Sequence, residues 1–309
     1  MPLPVTEDHA AAGDGASQRP RLRTISAVIN PAAGGVRPGA EHQLRALVAE
    51  HGYELAVSMV GPHDVGKVIR KAVAGDPDLL VVLAGDGTAR LAAQLCGPEG
   101  PLLAPLAGGT LNMLPHALYG AAPWRDALHA TLSDGEEQMV SGGRVCGHSF
   151  YVAAVLGAPA LWGQAREALR SGKLVRAARR IDLAVRRAFA GGLRYGAGEG
   201  PRRRGEALVL ICPLVSKAVE QECALELAAL DVHDARELMR LAFGGLTGAW
   251  RNDPAVTVEL AQRGWASMRG SIPSILDGET HRLPRRAEFE FVPKAFRALA
   301  PPNLAVSSL

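Results

Sequence analysis

The sequence predicts an α/β domain followed by a β-rich one, and three observations carry that reading. From Thr24 to Leu132, short apolar runs alternate with stretches whose apolar residues recur at helical spacing. After about Gln138 most segments instead read as strands of a meander. The 309 residues are 48% hydrophobic and 21% charged, a globular composition long enough for two medium domains. The expected class is α/β plus β: a doubly wound α/β domain, then an antiparallel, β-sandwich-like domain carrying helical insertions.

Thr24-Ile-Ser-Ala-Val-Ile-Asn30 reads as the first strand, stopped by Pro31. Leu44, Leu47 and Val48 then repeat at helical spacing before His51-Gly52, and Tyr53 to Val60 is the next strand. A helix fits Val65 to Ala74. Asp78 to Ala84 is a continuous apolar strand of the kind covered on both faces in a parallel sheet, followed by helical character from Thr88 to Cys96. Leu102 to Ala107 makes a fourth strand. Strands of the second half are expected at Val140–Val145, Ser149–Val155, Ala207–Leu214, Ala224–Leu230, Val256–Ala261, Trp265–Ile272 and Ala287–Val292. Helical stretches are expected at Trp162–Phe189 and His233–Phe243. Domain boundaries follow: a tail over 1–23, the α/β domain over 24–137, the β-rich domain over 138–287 and a tail over 301–309. Residues 288–300 are free to return to the first domain.

Candidate chemistry gathers at glycines. Gly85-Asp-Gly-Thr88 lies between the buried strand and a helix, where glycines admit a polyanion to the backbone and a helix N-terminus supplies N–H donors. The carboxylate of Asp86 can meet a cation or a hydroxyl. The plain alternative is a tight turn with Thr88 as a helix cap. Asn30-Pro-Ala-Ala-Gly-Gly35 ends the first strand and Gly108-Gly-Thr-Leu-Asn112 the fourth. Carboxyl ends of parallel strands share one edge, so the three loops can surround one triphosphate, with Asn30, Thr110 and Asn112 as side-chain partners. Separately, Asn30-Pro31 is a turn initiator, and Gly108-Gly109 a corner before a helix capped by Thr110. Gly61-Pro-His-Asp-Val-Gly-Lys67 has the core of a phosphate-binding P-loop, but Val68 replaces the hydroxyl residue and Pro62 removes an amide; Lys67 reads as an ordinary exposed helix residue. Late in the chain, Leu276-Asp-Gly-Glu279 places two carboxylates around a glycine. It reads as a hairpin turn, or as a base (Asp277) with a metal-orienting partner (Glu279).

In order and approximate spacing, Asn30-Pro31 with Gly34-Gly35, Gly85 to Thr88, Gly109-Thr-Leu-Asn112 and Leu276 to Glu279 resemble the motifs of the diacylglycerol kinase catalytic-domain family, which includes sphingosine kinases and bacterial soluble lipid kinases. The resemblance spans roughly Thr24 to Arg297. It implies an ATP- and Mg2+-dependent kinase of phospholipid metabolism that phosphorylates a lipid hydroxyl, such as diacylglycerol or a sphingoid base, in a cleft between two domains. ATP would rest on Asn30, Pro31, Gly34, Gly35, Gly85, Asp86, Gly87, Thr88, Gly109, Thr110 and Asn112; Asp277 would be the general base; Asp86 and Glu279 would meet the metal. The chain departs from the family pattern at Ala84 (a glycine there), Ala33 (a serine), Met113 (often an aspartate) and around Pro115-His116 (an arginine). Other readings are an NAD or other soluble-nucleotide kinase, since NAD kinases share the Asp-containing glycine loop, and a degenerate scaffold that binds anionic membrane or nucleic acid.

The formal charge is only +3, which excludes a wholesale nucleic-acid-binding polycation; aromatic residues make up 5%, so base stacking is poorly supplied and no nucleic acid is expected. Between Arg166 and Arg187, however, eight cations stand against two acids, interleaved with Leu169, Leu174, Ile181 and Val185. This suggests an interfacial helix for an anionic membrane surface, with Arg202-Arg203-Arg204 extending it. The alternative is a solvated helix packed on its own domain. Four scattered cysteines form no zinc or disulfide pattern, and His42, His116 and His148 have no metal-ligand spacing. With no secretory signal pattern or unbroken spanning run, the expected location is cytoplasmic, peripheral at the inner membrane face, and a homodimer is compatible with the reading.

Overall fold

The computed structural model describes residues 20–61, 63–157, 160, 192–216, 223–231 and 249–302. The expected helices at Trp162–Phe189 and His233–Phe243, and with them the basic stretch Arg166 to Arg187, lie outside the described residues.

Four parallel strands form the first layer: β1 (Ile25–Ile29), β2 (Leu55–Met59), β3 (Leu79–Ala84) and β4 (Leu102–Ala107), in the order β2-β1-β3-β4. Every residue of β3 is buried, because β1 and β4 flank it and helices cover the sheet; an unbroken apolar run is what such a strand requires. The helices are α1 (Ala40–Glu50), α2 (Val65–Ala74), α3 (Asp86–Cys96), α4 (Met113–Tyr119) and α5 (Trp124–Asp134). Leu44 and Val48 of α1, Ile69 of α2 and Leu128 of α5 are fully buried in one core with β1, β3 and β4.

The second unit is an antiparallel sandwich. One sheet has the order β12-β11-β10-β7-β14-β15, from β12 (Val256–Ala261), β11 (Leu225–Leu230), β10 (Ala207–Ile211), β7 (Ala153–Gly157), β14 (Ile272–Leu276) and β15 (Glu279–Leu283). Its facing sheet contains β5 (Glu136–Val145), β6 (His148–Phe150), β8 (Leu193–Ala197), β9 (Arg203–Gly205), β13 (Arg263–Ser267) and β16 (Arg286–Ala300). Leu156, Leu208, Leu227 and Leu276 of the first sheet pack against Phe150, Tyr195, Ala266 and Phe289 of the second.

Strand β16 joins the two units. Its first half pairs with β13 in the sandwich, and Ala298 pairs with Leu103 of β4 in the parallel layer. Its pairing with β5 shifts register between Val292 and Phe296, where Pro293 has no N–H to contribute.

Several expected boundaries change. The strand expected at Ser149–Val155 is two, β6 and β7, because the amides of residues 151–153 bond elsewhere. The one expected at Trp265–Ile272 ends at Ser267 with β13; Gly270, with φ of +87°, turns the chain, and β14 starts only at Ile272. Helix α3 begins at Asp86 with Gly85 as its N-cap, so Thr88 is inside the helix; α4 is preceded by Asn112, and Thr110 caps nothing. Among the described residues no helix is long and apolar enough to cross a membrane.

Candidate active site

The three glycine loops meet at the carboxyl edge of β1, β3 and β4. The first is tied to the third by the Gly35 N–H, which donates to the Gly108 carbonyl at 2.8 Å. The second and third touch backbone to backbone: a Cβ on Gly109 would lie 2.7 Å from the Gly85 Cα. No side chain fits at that contact, which explains glycine there without recourse to a ligand.

Side chains lock the loops further. Asn112 sits in the left-handed region at φ +52°, and its Oδ1 accepts the Gly109 N–H at 2.6 Å, so the third loop closes on itself. Asp86 takes the Asn112 N–H on Oδ2 at 2.9 Å and the Met113 N–H on Oδ1 at 2.6 Å. A carboxylate from the first turn of α3 thereby caps α4 across the edge of the sheet. Burial raises the Asp86 carboxyl above the usual carboxylate range; these amide bonds work against that shift, and the charge of Glu279 adds to it.

The loops enclose one side of a cavity of about 650 Å³. Asn30, Gly34, Gly85, Asp86, Gly87, Thr88, Gly109 and Thr110 line it, as the sequence suggests. Pro31, Gly35 and Asn112 do not; Gly35 and Asn112 brace the loops from behind. The opposite wall is the β14–β15 hairpin, which contributes Ile275, Gly278 and Glu279. Met113, where the family often has an aspartate, lines the cavity with a thioether. The second half of the P-loop-like segment is helix: Gly66 and Lys67 are inside α2, and Lys67 is exposed.

Asp277 lies deeper than the other site residues. Expected at the reaction centre as a base, it is absent from the cavity wall and only 1% exposed. Asp277 and Gly278 have φ of +45° and +83°, the two-residue turn that closes a tight hairpin between Leu276 and Glu279. That turn aims the Asp277 carboxylate inward. It accepts N–H groups from Tyr151 at 2.7 Å, Val152 at 2.9 Å and Ala153 at 3.0 Å, the amides that interrupt β6 and β7. Burial raises its pKa to about 6 even though those three bonds and the nearby Arg90 lower it.

Glu279 is the hairpin carboxylate that faces the cavity. One oxygen pairs with Arg90 at 2.8 Å, and Arg90, only 14% exposed, also donates to the Ser149 carbonyl at 3.4 Å. Gly87 makes room for this: a Cβ there would lie 1.8 Å from the Glu279 Oε1. Arg90 thus links α3 to the sandwich, a role the sequence reading missed. Its spacing of four from Asp86, on the same face of α3, was the available signal.

Three glycine loops and the carboxylates of Asp86 and Glu279 thus border one cavity at the edge of the parallel sheet. Residues 24–145 match the family described as the diacylglycerol kinase catalytic domain. Among solved structures, a diacylglycerol kinase from Bacillus anthracis str. Sterne is 13% identical with a TM-score of 0.64, over 93% of this chain and 100% of that one. A second chain from the same strain, provisionally assigned as a diacylglycerol kinase, is 16% identical with a TM-score of 0.68 over the same shares. At these identities the likeness is one of fold, and it spans both units. No curated protein matches the chain.

Proposed function

We propose that the protein is an ATP-dependent kinase that transfers a phosphoryl group to a lipid hydroxyl. The observation that carries this reading is the convergence of three glycine loops from one unit and Glu279 from the other on a single cavity. Phosphoryl transfer asks for positioning and charge stabilisation more than covalent chemistry, and backbone amides at the edge of a parallel sheet supply both.

Mg2+ fits the residues present in one specific way. Asp86 and Glu279 feel each other's charge at the cavity, yet no group of three His, Cys, Asp or Glu among the described residues could hold an ion. Two carboxylates completed by phosphate oxygens and water are a usual Mg2+ environment. When bound, the ion would neutralise charge on the transferring phosphate. The chain's own part is to align the nucleotide on the amides of the three loops and to present the acceptor from the hairpin side. Glu279, fixed by Arg90, would orient the acceptor hydroxyl from the hairpin side. Asp277 acts behind it, as a positioning residue that fixes the hairpin against residues 151–153.

The test is phosphate transfer from labelled ATP, with Mg2+, to diacylglycerol or sphingosine in mixed micelles, and to NAD in solution. A labelled lipid is expected, and Glu279→Gln should reduce turnover about a hundredfold or more. Labelled NAD with unlabelled lipids would replace this reading with the soluble-nucleotide one.

A further inference from the structure

The Arg202-Arg203-Arg204 run is not absorbed by the active site, and the fold gives its three members different surroundings. Arg203 pairs with Glu259 of β12 at 3.1 Å. Arg204 stands on edge strand β9 directly opposite Arg194 of β8. Arg194 is opposite Ser267 of β13, and Ser267 is opposite Arg286 of β16. The alternate positions Tyr195, Ala266 and Ala287 point into the sandwich core, so Arg286, Ser267, Arg194 and Arg204 form one row across the outer face. The row spans three strand spacings, about 14 Å.

Next to it lies Trp265. Its ring carries the Arg286 guanidinium at 4.6 Å and that of Arg202 at 5.7 Å, and it rests on Gly196, where a Cβ would lie 2.9 Å from the indole Nε1. Glu288 meets Arg286 at 3.5 Å, and Glu290 meets Arg144 at 3.1 Å. Among the described residues no ion pair involves Arg194, Arg202 or Arg204, and all three are exposed. Like charges directly opposite on a sheet are destabilising, so Arg194 facing Arg204 is a cost to the fold that a polyanionic partner would relieve.

We propose that this outer face, with the Arg286–Arg194–Arg204 row and Trp265, docks the protein on an anionic phospholipid bilayer. The chemistry separates this partner from others. A protein partner would want an apolar centre, and this face offers one partly buried indole between guanidinium groups. Single-stranded nucleic acid would want a series of aromatic platforms, and one does not make a series. An anionic bilayer asks for cations beside an amphipathic ring at headgroup level. The proposal rests on the lipid-kinase reading for its purpose, an acceptor held in a bilayer, but binding needs neither nucleotide nor turnover.

The test uses the full chain and vesicles of phosphatidylcholine alone or in equal parts with phosphatidylglycerol, without ATP. Sedimentation with the anionic vesicles only, weakened by salt, is expected. The double variant Arg194→Gln with Arg204→Gln should bind them about thirtyfold more weakly, while unfolding at the same or a higher temperature. Lipids brominated near the headgroup should quench tryptophan emission, and Trp265→Phe should remove that quenched fraction. Undiminished vesicle binding by the double variant would overturn the proposal. So would a loss confined to binding of double-stranded DNA, or self-association through this face in its place. Vesicle binding that behaves as expected in a protein that labels no lipid would leave the docking face standing and remove the kinase reading alone.

Discussion

Asp277 is a buried carboxyl whose environment works against its charge, and its titration is where the structure is most directly exposed to test. Folded, it holds its proton up to about pH 6; unfolded, it releases it near 3.8. The native state therefore binds more protons in that window, and this group's contribution to stability falls as pH rises through it: present below about pH 4, gone above about pH 6. The difference corresponds to about 3 kcal/mol. Urea unfolding measured at a series of pH values should show that decline in the parent protein, and Asp277→Asn should lack it. Equal slopes would mean the carboxyl is not enclosed. Arg90 acts on the same group, because its charge lowers the Asp277 pKa. Replacing Arg90 by Gln should move the acid limb of the activity profile to higher pH and lower kcat about tenfold, the pair with Glu279 being lost. A residue that only filled space would leave the pH profile where it was.

At the level of elements, the junction of α3 with the β14–β15 hairpin separates folding from chemistry. A Cβ on Gly87 meets only the end of the Glu279 side chain, which can swing away. Gly87→Ala should thus fold with a melting temperature within a few degrees of the parent, helped by alanine's helix preference, yet lose activity as Glu279→Gln does. Gly109→Ala meets the Gly85 backbone instead, so it should spread the loops and raise the KM for ATP together with a loss of stability. An active Gly87→Ala enzyme would show that Glu279 need not lie where it does.

Elements were legible where the pattern was local. Helix α2 begins and ends as its periodicity predicts, and the apolar run of β3 is the strand. The loops at the ends of β1, β3 and β4 follow from parallel topology alone. What local pattern could not convey is the break between β6 and β7, since its cause is a carboxylate more than 120 residues away taking three amides. The same long reach hid the orientation of Asp277: Asp-Gly announced a tight turn correctly, but which way the side chain faces depends on what packs beneath it. Strand β9 went unread because it is all arginine and glycine, and β8 because Arg194 and Gly196 interrupt a five-residue run. Arginines fit a strand that has one face in a core and the other outside it.

Across the whole molecule, β16 makes the two units energetically one. Its Ala287 and Phe289 are in the sandwich core, whereas Phe296, Ala298, Leu299 and Ala300 complete the core of the parallel layer. Tyr119 of α4 donates to the Leu299 carbonyl at 3.0 Å, and Phe296 meets the Tyr151 ring edge-on at 5.0 Å, beside the amides held by Asp277. The parallel layer built from residues 24–145 therefore lacks its last strand until the chain returns some 150 residues later, so late residues should govern the stability of early ones. Phe296 is fully buried, and Phe296→Ala should cost about 3–5 kcal/mol. That loss should appear as a shift of one cooperative transition, followed alike by Trp124 emission in the parallel layer and Trp265 emission in the sandwich, each read in a variant that keeps only that tryptophan. If the two probes separate, with Trp265 unmoved while Trp124 melts early, the units fold independently and β16 is a tether between them.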